Sequence, residues 1–154
     1  MLSEDARRSV EDSIKKYSQK KAAVLSTLHI AQKEKGWISE ETIEEIAGIL
    51  DIPSIEVKEV VSFYTMFNLR DVGKYHIQVC TNLSCSLLGS RHIVNYLEKR
   101  LGLGAGKSTE DKRFSLSQVE CLGSCGTAPM MQINEDYYEN LTEEKIDKIL
   151  ESLV

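Results

Sequence analysis

Apolar residues in the first 70 positions recur at intervals of three and four, which is the period of an amphipathic helix. Four such stretches follow one another, the last of them after a break at Pro53–Ser54. Gly36 is placed to end the second stretch and Ser39 to cap the third. The residues predicted to face the core are Leu2, Ala6, Val10, Ile14, Tyr17, Ala23, Val24, Leu28, Ala31, Ile43, Ile46, Ala47, Leu50, Val57, Val60, Val61, Tyr64 and Phe67. We therefore expect residues 1–72 to form a helical bundle.

The pattern changes after Gly73, where strict alternation of apolar and polar residues replaces the helical period. Tyr75, Ile77 and Val79 alternate with polar neighbours, which predicts a strand ending at Cys80. The later elements are predicted as a helix from Ser90 to Gly102, a strand over Phe114–Glu120, a hairpin of Met130–Asn134 and Tyr137–Asn140 across Glu135–Asp136, and a last helix capped by Thr142. The order β-α-β, then β-β-α, is that of a thioredoxin-like domain. The fold class is therefore predicted as α+β: the helical bundle, then a thioredoxin-like α/β domain over residues 73–154.

The four cysteines of the chain stand in two tight pairs, Cys80 with Cys85 and Cys121 with Cys125. A β-α-β crossover makes its two strands parallel, so the loops that follow them leave the sheet at the same end. Four thiolates suit a [2Fe–2S] cluster or a structural zinc ion. Four and three residues separate the paired cysteines, whereas zinc sites commonly use tighter knuckles. The spacing favours the cluster over zinc, and zinc over disulfides.

Charge and hydropathy exclude several other classes of protein. The net charge of −5 argues against nucleic acid, whose phosphates need a positive field. Residues 47–60 resemble a helix-turn-helix motif, which leaves a metal-binding DNA regulator as an alternative. The second helix of that motif, however, carries the negative charges of Glu56 and Glu59 against the single positive charge of Lys58. The amino terminus has no secretory signal and no apolar run could span a bilayer. We therefore expect a cytoplasmic protein, where disulfides are rare.

The remaining motifs supply no catalytic chemistry. Residues 102–108 resemble a phosphate-binding loop, but Leu101 stands where that motif needs glycine, so we expect a flexible connector. His29, His76 and His92 are scattered, and the predicted positions of His76 in a strand and His92 on a helix are typical of packing or surface residues. The aromatic run 63–67 fits either a core segment or part of a partner surface. With no site for nicotinamide or flavin, the chain is expected to be an electron-carrying subunit rather than a complete enzyme.

Two segments resemble a known family closely: residues 80–89, CTNLSCSLLG, and residues 121–141, CLGSCGTAPMMQINEDYYENL. They are similar to the cluster loops of the thioredoxin-like [2Fe–2S] subunits of NADH:quinone oxidoreductase, the E-type subunits of respiratory complex I. The helical half resembles that family too, at residues 36–38 and 60–67. The resemblance implies that Cys80, Cys85, Cys121 and Cys125 ligate one [2Fe–2S] cluster, and it implies no catalytic residue in this chain.

The same resemblance implies partners and a place in the cell. FMN and NADH are expected on a flavoprotein subunit, the F-type subunit of complex I, against which this chain docks together with further peripheral-arm subunits. The assembly would be cytoplasmic and peripheral to the membrane, without insertion of this chain. The equivalent diaphorase subunit of an NAD-linked hydrogenase or formate dehydrogenase is the alternative.

Overall fold

Helices make up the first of the two units into which the chain divides, Met1–Asp71. The structure is a computed structural model that describes residues 1–153. The helices of this unit are α1 (Glu4–Ile14), α2 (Val24–Lys35), α3 (Glu40–Leu50) and α4 (Ser54–Phe63), with a 3₁₀ turn at Lys20–Ala23 before α2. This confirms the predicted helical character of the first half of the chain.

Local side-chain and backbone chemistry sets the ends of these helices. The Oγ atoms of Ser3 and Ser39 accept hydrogen bonds from the backbone N–H groups of Ala6, at 3.2 Å, and Thr42, at 3.3 Å. Gly36 ends α2 in the left-handed conformation, with φ of 80°, which costs a residue without Cβ least. Each of the two serine N-caps contributes about 1 kcal/mol. The predicted roles of Ser39 and Gly36 are confirmed.

The apolar stripes of the four helices meet in one core. Its fully buried side chains include Val10, Leu28, Ile46 and Val57. Burying each such side chain stabilises the fold by about 1.5–3 kcal/mol. The core also contains Leu2, Ala6, Ala23, Val24, Ala31, Ile38, Ile43, Ala47, Leu50, Val61 and Phe67.

Two aromatic residues predicted for this core lie outside it. Tyr17 follows the end of α1 and is 43% exposed, and Tyr64 follows the end of α4 and is 36% exposed. The prediction was wrong because the helical period was carried past the last helical residue. Phe67 is buried, whereas Phe63 and Met66 are exposed. The aromatic run therefore supplies one core residue and an exposed apolar segment.

A carboxylate on α3 anchors the amino-terminal segment. The N–H of Leu2 lies 2.9 Å from both side-chain oxygens of Glu45, and Arg7 Nη2 lies 2.6 Å from Oε1. Lys35 Nζ and the terminal amine approach the same carboxylate at 3.7 Å and 3.8 Å. Burial opposes ionisation of Glu45, but these donors and positive charges lower its pKa on balance.

A five-stranded sheet with helices forms the second unit, Val72–Val154. The strands are β1 (Tyr75–Cys80), β2 (Lys107–Ser108), β3 (Phe114–Val119), β4 (Met131–Ile133) and β5 (Asp136–Tyr138), and the helices are α5 (Leu83–Leu87), α6 (Ser90–Leu101) and α7 (Glu143–Ser152). The strand order across the sheet is β2-β3-β1-β4-β5. β1 and β3 are parallel, and every other pairing is antiparallel. The predicted β-α-β and β-β-α order is confirmed.

The core of this unit lies between the sheet and its helices. Ile77 of β1, Leu116 of β3 and Met131 of β4 are fully buried, together with Leu97 of α6 and Ile146 of α7. Because successive strand residues point to opposite faces, this packing leaves little freedom in the register of the strands.

Three local features differ from the sequence prediction. The predicted flexible connector ends in β2, whose Lys107 and Ser108 pair with β3, because the edge of β3 offers unpaired backbone groups. The turn of the hairpin lies at Asn134–Glu135, one residue before the predicted turn at Glu135–Asp136. Ile133 pairs with Asp136 across it, and Asn134 adopts a left-handed φ of 55°. The short helix α5 was not predicted.

Membrane-spanning helices are absent from the described part of the chain: none within residues 1–153 combines sufficient length with sufficient hydropathy.

Replacing the charged anchor of the amino terminus should destabilise the first unit. We expect Glu45→Gln to lower the free energy of unfolding by about 1–3 kcal/mol at neutral pH, because hydrogen bonds to a charged group are lost. Urea unfolding, followed by the fluorescence of Trp37, the single tryptophan, measures the effect. Glu44→Gln on the exposed side of α3 is the matched control.

The same pair of proteins should show a defined pH dependence. A carboxyl group whose folded pKa is depressed contributes its stability above its unfolded pKa, about 4.3, and loses it as pH falls through the folded value. The difference between the parent protein and Glu45→Gln should therefore shrink in acid. A difference that stays constant down to low pH would show that the charge of Glu45 is not what stabilises the fold.

Candidate metal centre

The ends of two parallel strands bring the four cysteines to one end of the sheet. Cys80 is the last residue of β1 and pairs in register with Val119, the last residue of β3. Cys121 follows β3 after one intervening residue, Glu120, and Cys125 begins a 3₁₀ turn at Cys125–Thr127. Cys85 lies in α5, which is separated from β1 by Thr81 and Asn82. The structure therefore brings the two cysteine loops side by side, as the predicted crossover requires.

The candidate site has a buried side and an exposed side. Cys80 and Cys85 are 3% and 2% exposed and pack with the fully buried Met130. Partly buried Leu122 and Ala128 complete this apolar wall. Cys121 and Cys125 are exposed, and all four cysteines are free thiols. The disulfide alternative is therefore not found in this structure.

Contacts among the thiols change their acidity. The Cys80 side chain interacts with the thiols of Cys85 and Cys121, and it accepts hydrogen bonds from the N–H groups of Asn82 and Leu122. Burial opposes ionisation of Cys80, but these donors lower its pKa on balance. Burial, followed by the interaction with Cys80, raises the pKa of Cys85 to about 11. Ionisation is therefore easier at Cys80 than at Cys85.

A backbone hydrogen bond also reaches the second pair of cysteines. The N–H of Gly123 donates to Cys121 Sγ over 3.3 Å. Gly123 has a left-handed φ of 80°, a conformation that glycine adopts without steric cost. Such N–H donors stabilise negative charge on sulfur, whether the sulfur is a thiolate or a metal ligand.

β5 and the residues that follow it hold the second cysteine loop from outside. Tyr137 Oη donates to the carbonyl of Leu122 over 2.7 Å. Ser124 Oγ and Thr127 Oγ1 both donate to Glu139 Oε1, and these bonds lower the pKa of the carboxyl group. In addition, the N–H of Asn140 donates to the carbonyl of Thr127 over 2.7 Å. The loop therefore takes its shape from residues 137–140 as well as from its own sequence.

These supporting residues were not identified as functional from the sequence. Tyr137 and Glu139 were predicted only as residues of a hairpin strand and as part of the segment that resembles a known family. The sequence offered one clue, the position of these residues. The chain at the end of the hairpin must return toward the cysteine loop that precedes the hairpin. The hydrogen bonds of Tyr137 and Glu139 are visible only once the chain is folded.

Each of the three histidines contacts a residue other than cysteine. His29 packs its ring against Phe67 in the first unit. His76 Nε2 lies 3.0 Å from Ser117 Oγ within the sheet, and His92 Nε2 lies 2.7 Å from a carboxylate oxygen of Glu143. Within residues 1–153, no group of three or more His, Cys, Asp or Glu side chains stands ready to hold a metal ion.

The model of one protein family, described as thioredoxin-like [2Fe–2S] ferredoxin, matches residues 10–154. The NADH-quinone oxidoreductase E subunit of Rickettsia felis is 50% identical over 144 residues, which is 92% of this chain and 86% of that protein. Its counterpart in Rickettsia conorii, which has the same name, is 50% identical over 93% of this chain and 87% of its own. An NADH-quinone oxidoreductase E subunit of Rhizobium meliloti, the one numbered 2, is 41% identical over 95% of this chain and 87% of its own.

Among solved structures, the air-oxidized NAD⁺-reducing [NiFe]-hydrogenase contains a chain that superposes with a TM-score of 0.75 at 23% identity. The match covers 84% of this chain but 22% of the hydrogenase chain, so it spans about a fifth of that longer protein. At this level of identity the likeness shows a shared fold.

Alkylation of the metal-free protein should follow the exposure of the four thiols. We expect Cys121 and Cys125 to react well before Cys85, because they are exposed and because the raised pKa of Cys85 leaves little reactive thiolate at neutral pH. A brief iodoacetamide pulse followed by peptide mass spectrometry measures the order. All four thiols should react at similar rates in urea, which is the control. Early labelling of Cys85 in the folded protein would contradict the arrangement described above.

Proposed function

The chain belongs to the thioredoxin-like [2Fe–2S] ferredoxin family, and on that premise we propose that it is the electron-transfer subunit of the E type in an NADH:quinone oxidoreductase. In this proposal Cys80, Cys85, Cys121 and Cys125 hold one [2Fe–2S] cluster within a domain formed by residues 73–154. Residues 1–72 form the accompanying helical bundle. The single observation that carries the proposal is that the loops with the four free thiols start side by side, at the ends of two parallel strands.

The donor set fits a two-iron cluster chemically. Iron–sulfur clusters of this type take four cysteine thiolates, and each iron takes one pair. The chain supplies four thiols in two pairs, and within the same unit His76 and His92 contact Ser117 and Glu143. Because the ligands divide between two irons, a cluster does not require three side chains to converge on a single ion. The contacts of Cys80 with both Cys85 and Cys121 support one shared site for the two pairs.

When bound, a [2Fe–2S] cluster accepts and releases one electron at a time. The protein's own residues provide its surroundings. Met130, Leu122 and Ala128 keep water away from the sulfurs of Cys80 and Cys85. The N–H groups of Asn82, Leu122 and Gly123 donate to Cys80 and Cys121, which stabilises negative charge at the ligands. Residues 137–140 hold the second loop in the shape that these bonds need.

A one-electron carrier needs a donor, and we infer that a flavoprotein partner holds FMN and NADH. The names of the curated relatives include both NADH and quinone, whereas this sequence has no dinucleotide-binding motif. Leu83, Leu87 and Leu88 are 70%, 77% and 59% exposed on and just after α5, next to Cys85. Exposed apolar side chains beside a redox centre suit a docking surface. The complex would be cytoplasmic and peripheral to the membrane.

The equivalent subunit of an NAD-linked hydrogenase or formate dehydrogenase is the second candidate. The superposition on a chain of an NAD⁺-reducing hydrogenase supports this candidate only through the shared fold. Both candidates require the same four cysteines and differ in the partner. Purification of the native complex and identification of its other subunits would distinguish them.

Metal and sulfide analysis tests the proposed cofactor. We expect anaerobically purified protein to contain about two irons and two acid-labile sulfides per chain. Reduction by dithionite should produce a paramagnetic signal in electron paramagnetic resonance that the oxidised protein lacks. Zinc without sulfide, persisting after anaerobic reconstitution with iron and sulfide, would eliminate the electron-transfer role.

A charge placed on the exposed face of α5 tests the proposed docking surface. Leu87→Asp should weaken binding to the flavoprotein partner about tenfold or more, because burying an unpaired carboxylate is costly, while iron content stays unchanged. Ile55→Asp adds the same charge at another exposed apolar position, in the first unit. Equal affinities for both variants, measured by calorimetry, would mean that α5 does not contact the partner.

A further inference from the structure

One peptide group in the second cysteine loop is hydrogen-bonded at both of its ends. Its carbonyl, that of Leu122, accepts from Tyr137 Oη over 2.7 Å. Its N–H, that of Gly123, donates to Cys121 Sγ over 3.3 Å. The carbonyl of one residue and the N–H of the next belong to a single conjugated amide. Tyr137 is therefore linked to the sulfur of Cys121 through one peptide bond.

Hydrogen bonds arranged in a chain polarise one another. A donor to the amide oxygen draws electron density from the nitrogen, which makes the N–H on the other side a better donor. The hydroxyl of Tyr137 thus strengthens the bond from Gly123 to Cys121 without touching the sulfur. It also fixes the plane of the peptide, which decides whether the N–H points at the sulfur at all.

The position of Tyr137 suits a role that depends on its hydroxyl. β5 is the edge strand of the sheet, and Tyr137 pairs there with Gln132. Its side chain is 51% exposed and lies outside the apolar core of the unit. Core packing therefore does not require this ring, so removing the hydroxyl alone should leave the fold intact. Glu139 and Asn140 hold Ser124 and Thr127 independently of Tyr137.

We propose that Tyr137 is a positioning residue that raises the reduction potential of the bound cluster through the Leu122–Gly123 peptide. The inference rests on the proposed function, because it assumes a cluster on Cys121. Reduction adds one electron, supplied by the partner flavin or by a chemical mediator. No bond forms or breaks, and the thiolate-bound group becomes more negative by one charge. A hydrogen bond from a backbone N–H to a ligand sulfur stabilises that added charge. Strengthening this hydrogen bond therefore favours the reduced form of the cluster.

Tyr137→Phe tests the proposal by removing the donor and keeping the ring. We expect full iron and sulfide content and a midpoint potential shifted to more negative values, measured by mediated redox titration with magnetic resonance detection. At a fixed potential, the ratio of reduced to oxidised protein should fall several-fold. The iron–sulfur stretching bands in resonance Raman spectra should shift as well, since they respond to hydrogen bonding at the ligand.

Tyr138→Phe is the matched control. Tyr138 lies next along β5, packs against the core of the unit and has no hydroxyl hydrogen bond within residues 1–153. Its variant should keep the potential of the parent protein. An equal shift in both variants would attribute the effect to loosening of the hairpin and overturn the proposal.

Fluorotyrosine gives a second test that removes no side chain. A ring fluorine makes the phenol a stronger donor, so uniform incorporation should raise the potential of the parent protein, at a pH that keeps the phenol neutral. The same labelling should leave Tyr137→Phe unchanged. If the protein has its full cluster content but its midpoint potential changes neither in Tyr137→Phe nor on fluorotyrosine labelling, the proposed role of Tyr137 is overturned and the proposed function still stands. Failure of the parent protein to bind a cluster would instead overturn the proposed function.

Discussion

Parallel pairing of β1 with β3 is the constraint on which the candidate site depends. It aligns Cys80 with Val119, so the loops that carry Cys85 and Cys121 start side by side. A slip of one residue would turn every side chain of one strand to the opposite face, and Cys80 would leave the other thiols. The register is held by the core between α6 and the sheet. The packing that holds the strand register of the second unit therefore also positions its cysteines.

The two cysteine loops are stabilised in different ways. The first contains α5, which begins where Asn82 Oδ1 accepts from the N–H of Leu83 over 2.7 Å, and it buries Cys85. The second loop has one short 3₁₀ turn and exposes both of its cysteines. Its backbone groups must find partners elsewhere: Tyr137 and Asn140 donate to the carbonyls of Leu122 and Thr127, while Glu139 accepts from the hydroxyls of Ser124 and Thr127. The hairpin thus belongs to the site as much as to the sheet.

Features of the fold that have a local cause could be predicted from the sequence. The caps at Ser39 and Gly36 depend on neighbouring residues, and the strand ending at Cys80 shows in its alternation. β2 could not be predicted, because two residues carry no period and pair only with the free edge of β3. The bonds of Glu139 to Ser124 and Thr127 were equally hidden, since they join residues whose approach depends on the hairpin. Polar contacts between residues that are distant in sequence do not show in the local pattern of apolar and polar residues.

X-ray absorption at the iron edge of the purified, oxidised protein tests the central claim most directly, because it reports the atoms around iron without assuming a function. The account predicts a first shell of sulfur alone and a second iron at close range, and both should disappear together when Cys80 is replaced by serine and the cluster is lost. A single isolated iron, or a shell with several nitrogen or oxygen ligands, would contradict a two-iron cluster held by Cys80, Cys85, Cys121 and Cys125.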